Sequence, residues 1–256
     1  MKKIAPIIII ILFTFISCHK DNDDNVLFAN ITFNFFHNWD DTEVTDTNFN
    51  TITYTNANGE QLSITKLRYL VSKITFQKST GEIFVLDGYN LVDVTNNTNL
   101  LFTPLNTIPT GTYSNISFTF GFNNEDNYDN NYTDLNSASW NVPEMLGGGY
   151  HYMQLEGKFI DNTATETGYA FHTIRAVDNS ESTLQFEDTF FEINLGEVTL
   201  TNDATFNIEM NIAEWFKNPN TWDLNVLNNM LMPNFDAQIM MFENGQNVFS
   251  LESVNQ

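Results

Sequence analysis

Apolar and polar residues alternate along most of this chain, and that alternation predicts strands. In "NITFNFFH" (residues 30–37), Ile31, Phe33, Phe35 and His37 fall on one face, because successive side chains of a strand point to opposite sides. The same period runs through "KLRYLVSKITFQ", "EIFVLDGYNLVDV", "TYSNISFTFGFN", "YHYMQLEGKFI", "TGYAFHTI", "LQFEDTFFEINL" and "ATFNIEMNI". These segments are rich in β-branched and aromatic residues, and clusters of Asn, Asp, Gly and Thr between them supply turns. Strands without intervening helices predict a mainly β fold, an antiparallel β-sandwich or open barrel. In "YHYMQLEGKFI" the alternation places His151, Met153, Leu155 and Phe159 on one apolar face.

Helical spacing is confined to a small section near the C-terminus. "IAEWFKN" and "TWDLNVLNNML" carry helix-like apolar spacing, with Pro219 and Pro233 bracketing the second. "DAQIMMFENG" predicts a short helix stopped by Gly245, or alternatively a strand turning at Asn244-Gly245. Residues 123–149 form a long segment with no periodicity, so function or disorder is expected there. Its acidic part has the oxygen ligands that calcium takes but lacks EF-hand spacing, and a solvated loop is the plainer expectation. It ends on Gly147, Gly148 and Gly149, which allow a sharp turn into the next strand.

Composition changes the picture mainly at the N-terminus. "MKKIAPIIIIILFTFISC" has a basic start and an apolar run too short to span a bilayer comfortably, which fits a secretory signal. Cys18, the chain's one cysteine, follows a small residue at the end of that run and resembles a bacterial lipobox, so Cys18 is the expected lipidated residue. The expected division is a signal peptide at 1–17, an acidic tether at 18–27 and a β domain at 28–256. The acidic "HKDNDDN" behind Cys18 resembles the export signal of Bacteroidetes lipoproteins; an outer-membrane lipoprotein is expected, on the cell surface or the periplasmic face. Residues 18–256 hold 8 of the 10 basic residues and all 32 acidic ones, a formal charge of −24. Such a surface repels nucleic acid and anionic headgroups, so no nucleic-acid partner is expected, and the membrane is reached through the lipid anchor only.

Three histidines fall on predicted strands: His37, His151 and His172. In "YAFHTI", His172 shares its face with Ala170 and Ile174. Each alone is an ordinary core or edge histidine; converging, they would make a metal site. Imidazoles beside a thioether suit copper, Cu(I) in particular, whereas three imidazoles alone also suit zinc. Met153 is the thioether on the expected face of His151, and Met145 in the glycine-rich loop could fold over the site. Met230, Met232, Met240 and Met241 read as core or packing residues. No GxSxG, HExxH, Walker A or GxGxxG motif occurs, and no enzymatic activity is expected.

Several segments recur together in a known family: "FNFFHNWDD", "ITKLRYLVSKITF", "GGGYHYMQLEGKF", "YAFHT" and the ending from "EMNIAEWF" to "MLMPNFDAQIMMFENGQNVFSL". With these the chain resembles the MbnP-like copper-binding proteins, in the branch common as lipoproteins in Bacteroidetes. The resemblance spans roughly residues 28 to 251, and "GYHYMQLEG" and "FHT" are its most specific parts. It implies an extracytoplasmic β domain that binds copper, Cu(I) or Cu(II), through histidines from separate strands, for handling or uptake. It also implies a partner di-haem protein of the cytochrome c peroxidase type. Carried over by position, His37 and His172 rank first as metal ligands, with His151 and Met153 second. In the copper-binding relatives a tryptophan two residues before the first histidine is oxidised to kynurenine; here that position is Phe35, and Trp39 and Trp140 are the tryptophans nearest in the sequence to the histidine segments. A different class stays open: a surface glycan- or protein-binding β-sandwich whose histidines are structural.

Overall fold

The alternating segments build two β-sheets packed face to face. The structure is a computed structural model and describes residues 27–180 and 183–256. The expected signal peptide, Cys18 and nearly all of the expected tether lie outside the described residues. The main strands are β1 (Ile31–Trp39), β2 (Gln61–Gln77), β3 (Tyr89–Asp93), β4 (Gly111–Phe120), β5 (Met153–Ile160), β6 (Glu166–Thr173), β7 (Phe191–Leu200), β8 (Ala204–Asn211) and β9 (Phe249–Asn255). The larger sheet runs β6-β5-β2-β4-β7 with β3 also on β2, and every pairing in it is antiparallel. The smaller sheet runs β9-β8-β1, and there β8 lies parallel to β1, with Ala204 opposite Ile31 and Met210 opposite His37. The expected antiparallel sandwich is thus present with one parallel pair inside it.

The inner faces are the ones the alternation marks. Ile31, Phe33, Phe35 and His37 of β1 are at most 3 % exposed, and they meet β8 and the larger sheet in one core. Phe35 packs edge-on against Phe118 and Tyr69, at 6.1 and 6.2 Å between ring centres. Phe206 stacks on Phe33 and meets Phe76 edge-on. Such aromatic pairs contribute about 0.5–1.5 kcal/mol each beyond the area they bury.

The segment 123–149 is packed. It carries the short helix α1 (Thr133–Ser137) and a 3-10 turn (Glu144–Leu146), and buries Leu135 and Trp140 completely in a second core with Leu70, Phe122 and Tyr150. That core covers the outer face of the larger sheet. The three glycines have φ of 94°, 68° and 78°, left-handed values that suit residues without Cβ. A Cβ on Gly148 would lie 2.2 Å from the Asp129 carboxylate, and one on Gly149 2.6 Å from the Asn127 side chain. Those side chains accept bonds from the Gly149 and Tyr150 amides, at 2.7 and 2.8 Å. Asp129, in the acidic stretch, therefore fixes the turn.

The C-terminal section corrects part of the helical expectation. Ile212–Phe216 is a 3-10 helix. Residues 221–231 form turns and bends, because their apolar side chains anchor separately: Trp222 and Leu224 enter the main core while Val226 and Met230 face outward. The helix α2 spans Phe235–Gly245, with the Asn234 side chain capping it by accepting from the Ala237 amide. Gly245 is the last residue of this helix rather than a left-handed residue beyond its end; a Cβ there would come within 2.6 Å of Phe191 and 2.9 Å of Trp215. Close approach, and not a left-handed turn, requires the glycine.

Candidate metal centre

The larger sheet separates the three histidines. Across β2, β5 and β6, Tyr69, Met153 and Thr173 are in register, and one residue along so are Arg68, Gln154 and His172. Neighbours along a strand face opposite ways. Tyr69 and Met153 point into the sandwich core, so His172 points outward, toward the segment 123–149. His37 approaches from β1 on the inner side: its Nε2 is 3.0 Å from the Tyr69 hydroxyl, and the rings meet edge-on. His37 and His172 therefore occupy opposite sides of one sheet. Burial of His37 depresses its pKa to about 3, so it is neutral.

His151 joins His172 on the outer side. The expectation that His151 and Met153 share a face fails because β5 begins at Met153; Tyr150–Tyr152 precede it in bridge and bend conformation, tied to the loop by the His151 amide donating to the Trp140 carbonyl at 3.0 Å. The imidazoles of His151 and His172 pack edge-on with ring centres 5.3 Å apart. Met153 is fully buried in the core on the other side.

The hydrogen bonds of this pair fix which nitrogens are bare. His151 Nδ1 is 2.9 Å from the Trp140 carbonyl, which can only accept, so Nδ1 carries the proton. Nε2 is then a lone pair, and it faces the Met232 thioether sulfur at 3.2 Å. Burial is the main cause holding the pKa of His151 down at about 4, with His172 and Arg68 adding to the depression and the Trp140 carbonyl opposing it. The ring is neutral at ordinary pH, and no proton bridges nitrogen to sulfur. At His172, Nε2 lies 2.9 Å from Glu156 Oε1. The Glu156 pKa is lowered to about 2, first by this hydrogen bond and then by Lys66, whose Nζ is 2.8 Å away. A carboxylate accepts, so His172 donates from Nε2, and Nδ1 is the nitrogen it has left to offer. Each imidazole thus spends one nitrogen on a protein acceptor, His151 on the Trp140 carbonyl and His172 on Glu156, the arrangement that orients metal-binding histidines.

Sulfur surrounds the pair. A cavity of about 350 Å³ beside His172 is lined by Met145, Met230 and Met232, with Ala170, Leu231 and Pro233 among its walls. Two soft lone-pair donors 3.2 Å apart can share one ion, since metal–nitrogen and metal–sulfur bonds are about 2.0 and 2.3 Å long. Among the described residues no three His, Cys, Asp or Glu side chains gather as ligands; the soft atom beside the imidazole pair is the Met232 thioether sulfur. That donor set fits a soft monovalent ion such as Cu(I). Trp140, fully buried, lies 5.7 Å from His151 between ring centres, with Arg68 5.0 Å from its own ring centre. Phe35, at the position the relatives give to tryptophan, is in the sandwich core away from this pair. Met232 is the donor that periodicity missed. Its signal was "NNMLMP", two methionines two residues apart just ahead of Pro233.

Comparison with known proteins bears on the whole architecture. No curated protein matches the sequence. The solved structure of MbnP from Methylosinus trichosporium superposes with a TM-score of 0.54 over 78% of this chain and 80% of that one, at 11% identity, a likeness of fold. The family model MbnP matches residues 28–235, from the first edge strand to the start of α2. Fold and sequence pattern agree over most of the domain, and the chain belongs to the MbnP family.

Proposed function

We propose that this protein is an extracytoplasmic copper-binding protein that holds the ion between His151, His172 and Met232. Family membership gives the role its class, a metal-related one outside the cytoplasm. One observation carries the finer reading: a neutral imidazole nitrogen facing a thioether sulfur at 3.2 Å with no proton between them. Two electron-pair donors so apposed gain from a soft cation and from little else. The second imidazole, steadied by Glu156 and Lys66, completes a nitrogen–sulfur set that favours Cu(I) over harder ions. Copper is cargo here, bound and released without turnover. Attachment to the outer membrane through Cys18, and a di-haem partner of the cytochrome c peroxidase type, belong to the same reading.

The test is an anaerobic competition between the purified domain, residues 27–256, and a chromogenic Cu(I) chelator. Wild type should take up one equivalent, His151→Ala/His172→Ala should take up none, and Met232→Leu should bind measurably more weakly. A double variant that retains wild-type affinity would remove the assignment. His37→Phe should keep copper binding, because His37 lies on the far side of the sheet.

A further inference from the structure

Resting on the copper reading, the geometry points to a thioether entry gate: Met145 and Met230 receive Cu(I) at the mouth of the cavity and pass it inward to Met232, His151 and His172. Three of the chain's eight methionines line this one cavity. Met232 is half-buried and packed on a small apolar cluster, whereas Met145 and Met230 are 78% and 75% exposed. Neither outer methionine is placed there by packing. Met145 sits in the 3-10 turn whose neighbour Leu146 does the burying, and Met230 holds φ of 54°, a left-handed value uncommon for residues other than glycine. Beside each stands a leucine that takes the apolar contact, Leu146 and Leu231, both less than a tenth exposed.

Exposed thioethers have a chemistry that exposed leucines lack. They bind Cu(I) weakly and exchange it readily, and they do not attract hard cations, against which the carboxylate-rich surface offers no other selectivity. The ion crosses as Cu(I) throughout: each step replaces one donor by another, with no electron and no proton transferred. The inner nitrogens then retain what the sulfurs deliver.

The experiment separates rate from affinity, using the full domain and Cu(I) supplied as its bicinchoninate complex under anaerobic conditions. Met145→Leu/Met230→Leu keeps the apolar volume and removes both sulfurs. Uptake followed by stopped-flow absorbance should slow by on the order of tenfold, the lower end of what loss of a supporting group around a metal site costs. The equilibrium affinity should stay at the wild-type value, since Met145 and Met230 neither bond the stored ion nor orient any of its ligands, the role through which outer-shell groups change affinity. Unchanged uptake in the double variant, with wild type binding normally, would overturn the gate and leave the copper reading standing. A wild-type domain that takes up no Cu(I) would overturn both. A fall in affinity matching that of Met232→Leu would overturn the gate by making the outer sulfurs permanent ligands.

Discussion

His37 and His151 are both buried and both neutral, with pKa values near 3 and 4, yet the bonds around them separate their roles. His37 spends Nε2 on the Tyr69 hydroxyl inside the core, while His151 leaves Nε2 facing sulfur. In the unfolded chain a histidine protonates near pH 6.5. A depressed folded value means the unfolded state binds more protons between pH 6.5 and about 3, so stability is full above 6.5 and falls as pH drops through that window. Thermal melts should show the midpoint declining from pH 7 to 4, and His37→Phe should flatten that decline while lowering the midpoint at pH 7 by leaving the Tyr69 hydroxyl unpaired. Glu156→Ala should weaken Cu(I) binding by roughly 10–100-fold, read by chelator competition, because His172 loses the acceptor that orients it. Met153→Leu should leave copper binding untouched and cost less than about 1.5 kcal/mol of stability. At this scale the sequence made the histidines visible as candidates but not their grouping. Alternation alone puts His151 and Met153 together; the bend at Tyr150–Tyr152 that parts them is imposed by a bond to Trp140, eleven residues away in a segment without periodicity.

At the scale of elements, the strands were legible because one face of each is buried and the other is not, and burial writes itself as period two. Segment 221–231 was not legible, because apolar residues that dock singly into different hollows imitate helical spacing. The helix α2 was legible in "DAQIMMFENG" as one of two readings, though Gly245 reads as a stop when its role is contact. The loop 123–149 owes its order to a few buried aromatics and to asparagine and aspartate side chains that bond backbone amides, features spread too irregularly to form a pattern. Its turn is the sensitive point. Gly148→Ala should destabilise the domain by about 1–2 kcal/mol from left-handed strain alone, and by more once the new Cβ meets Asp129, as urea unfolding would show. The same variant should loosen copper binding, since the turn leads directly into His151.

For the whole molecule, the sandwich class follows from the strand count and the turn chemistry, whereas the parallel pairing of β1 with β8 has no local signature. Charge acts at this scale too. Residues 18–256 carry a formal −24, and self-repulsion of that size opposes compaction. Raising salt from about 0.01 M to about 1 M shortens the screening length from about 30 to about 3 Å, so the melting midpoint should rise across that range. The β1–β8 pair carries a further consequence for how the chain comes into being. Its partners are separated by 173 residues, and β9 then adds to the outer edge of β8. The strand β1 thus waits for its parallel mate until about two-thirds of the polypeptide has followed it, meeting before then only the short strands Thr42–Glu43 and Leu101–Phe102. Loop closure on that span makes assembly a late event, and the aromatic stripe of β1 stays available and unmatched meanwhile. A chain ending at residue 203 should remain unfolded, and the native sandwich should form only after β8 has been made.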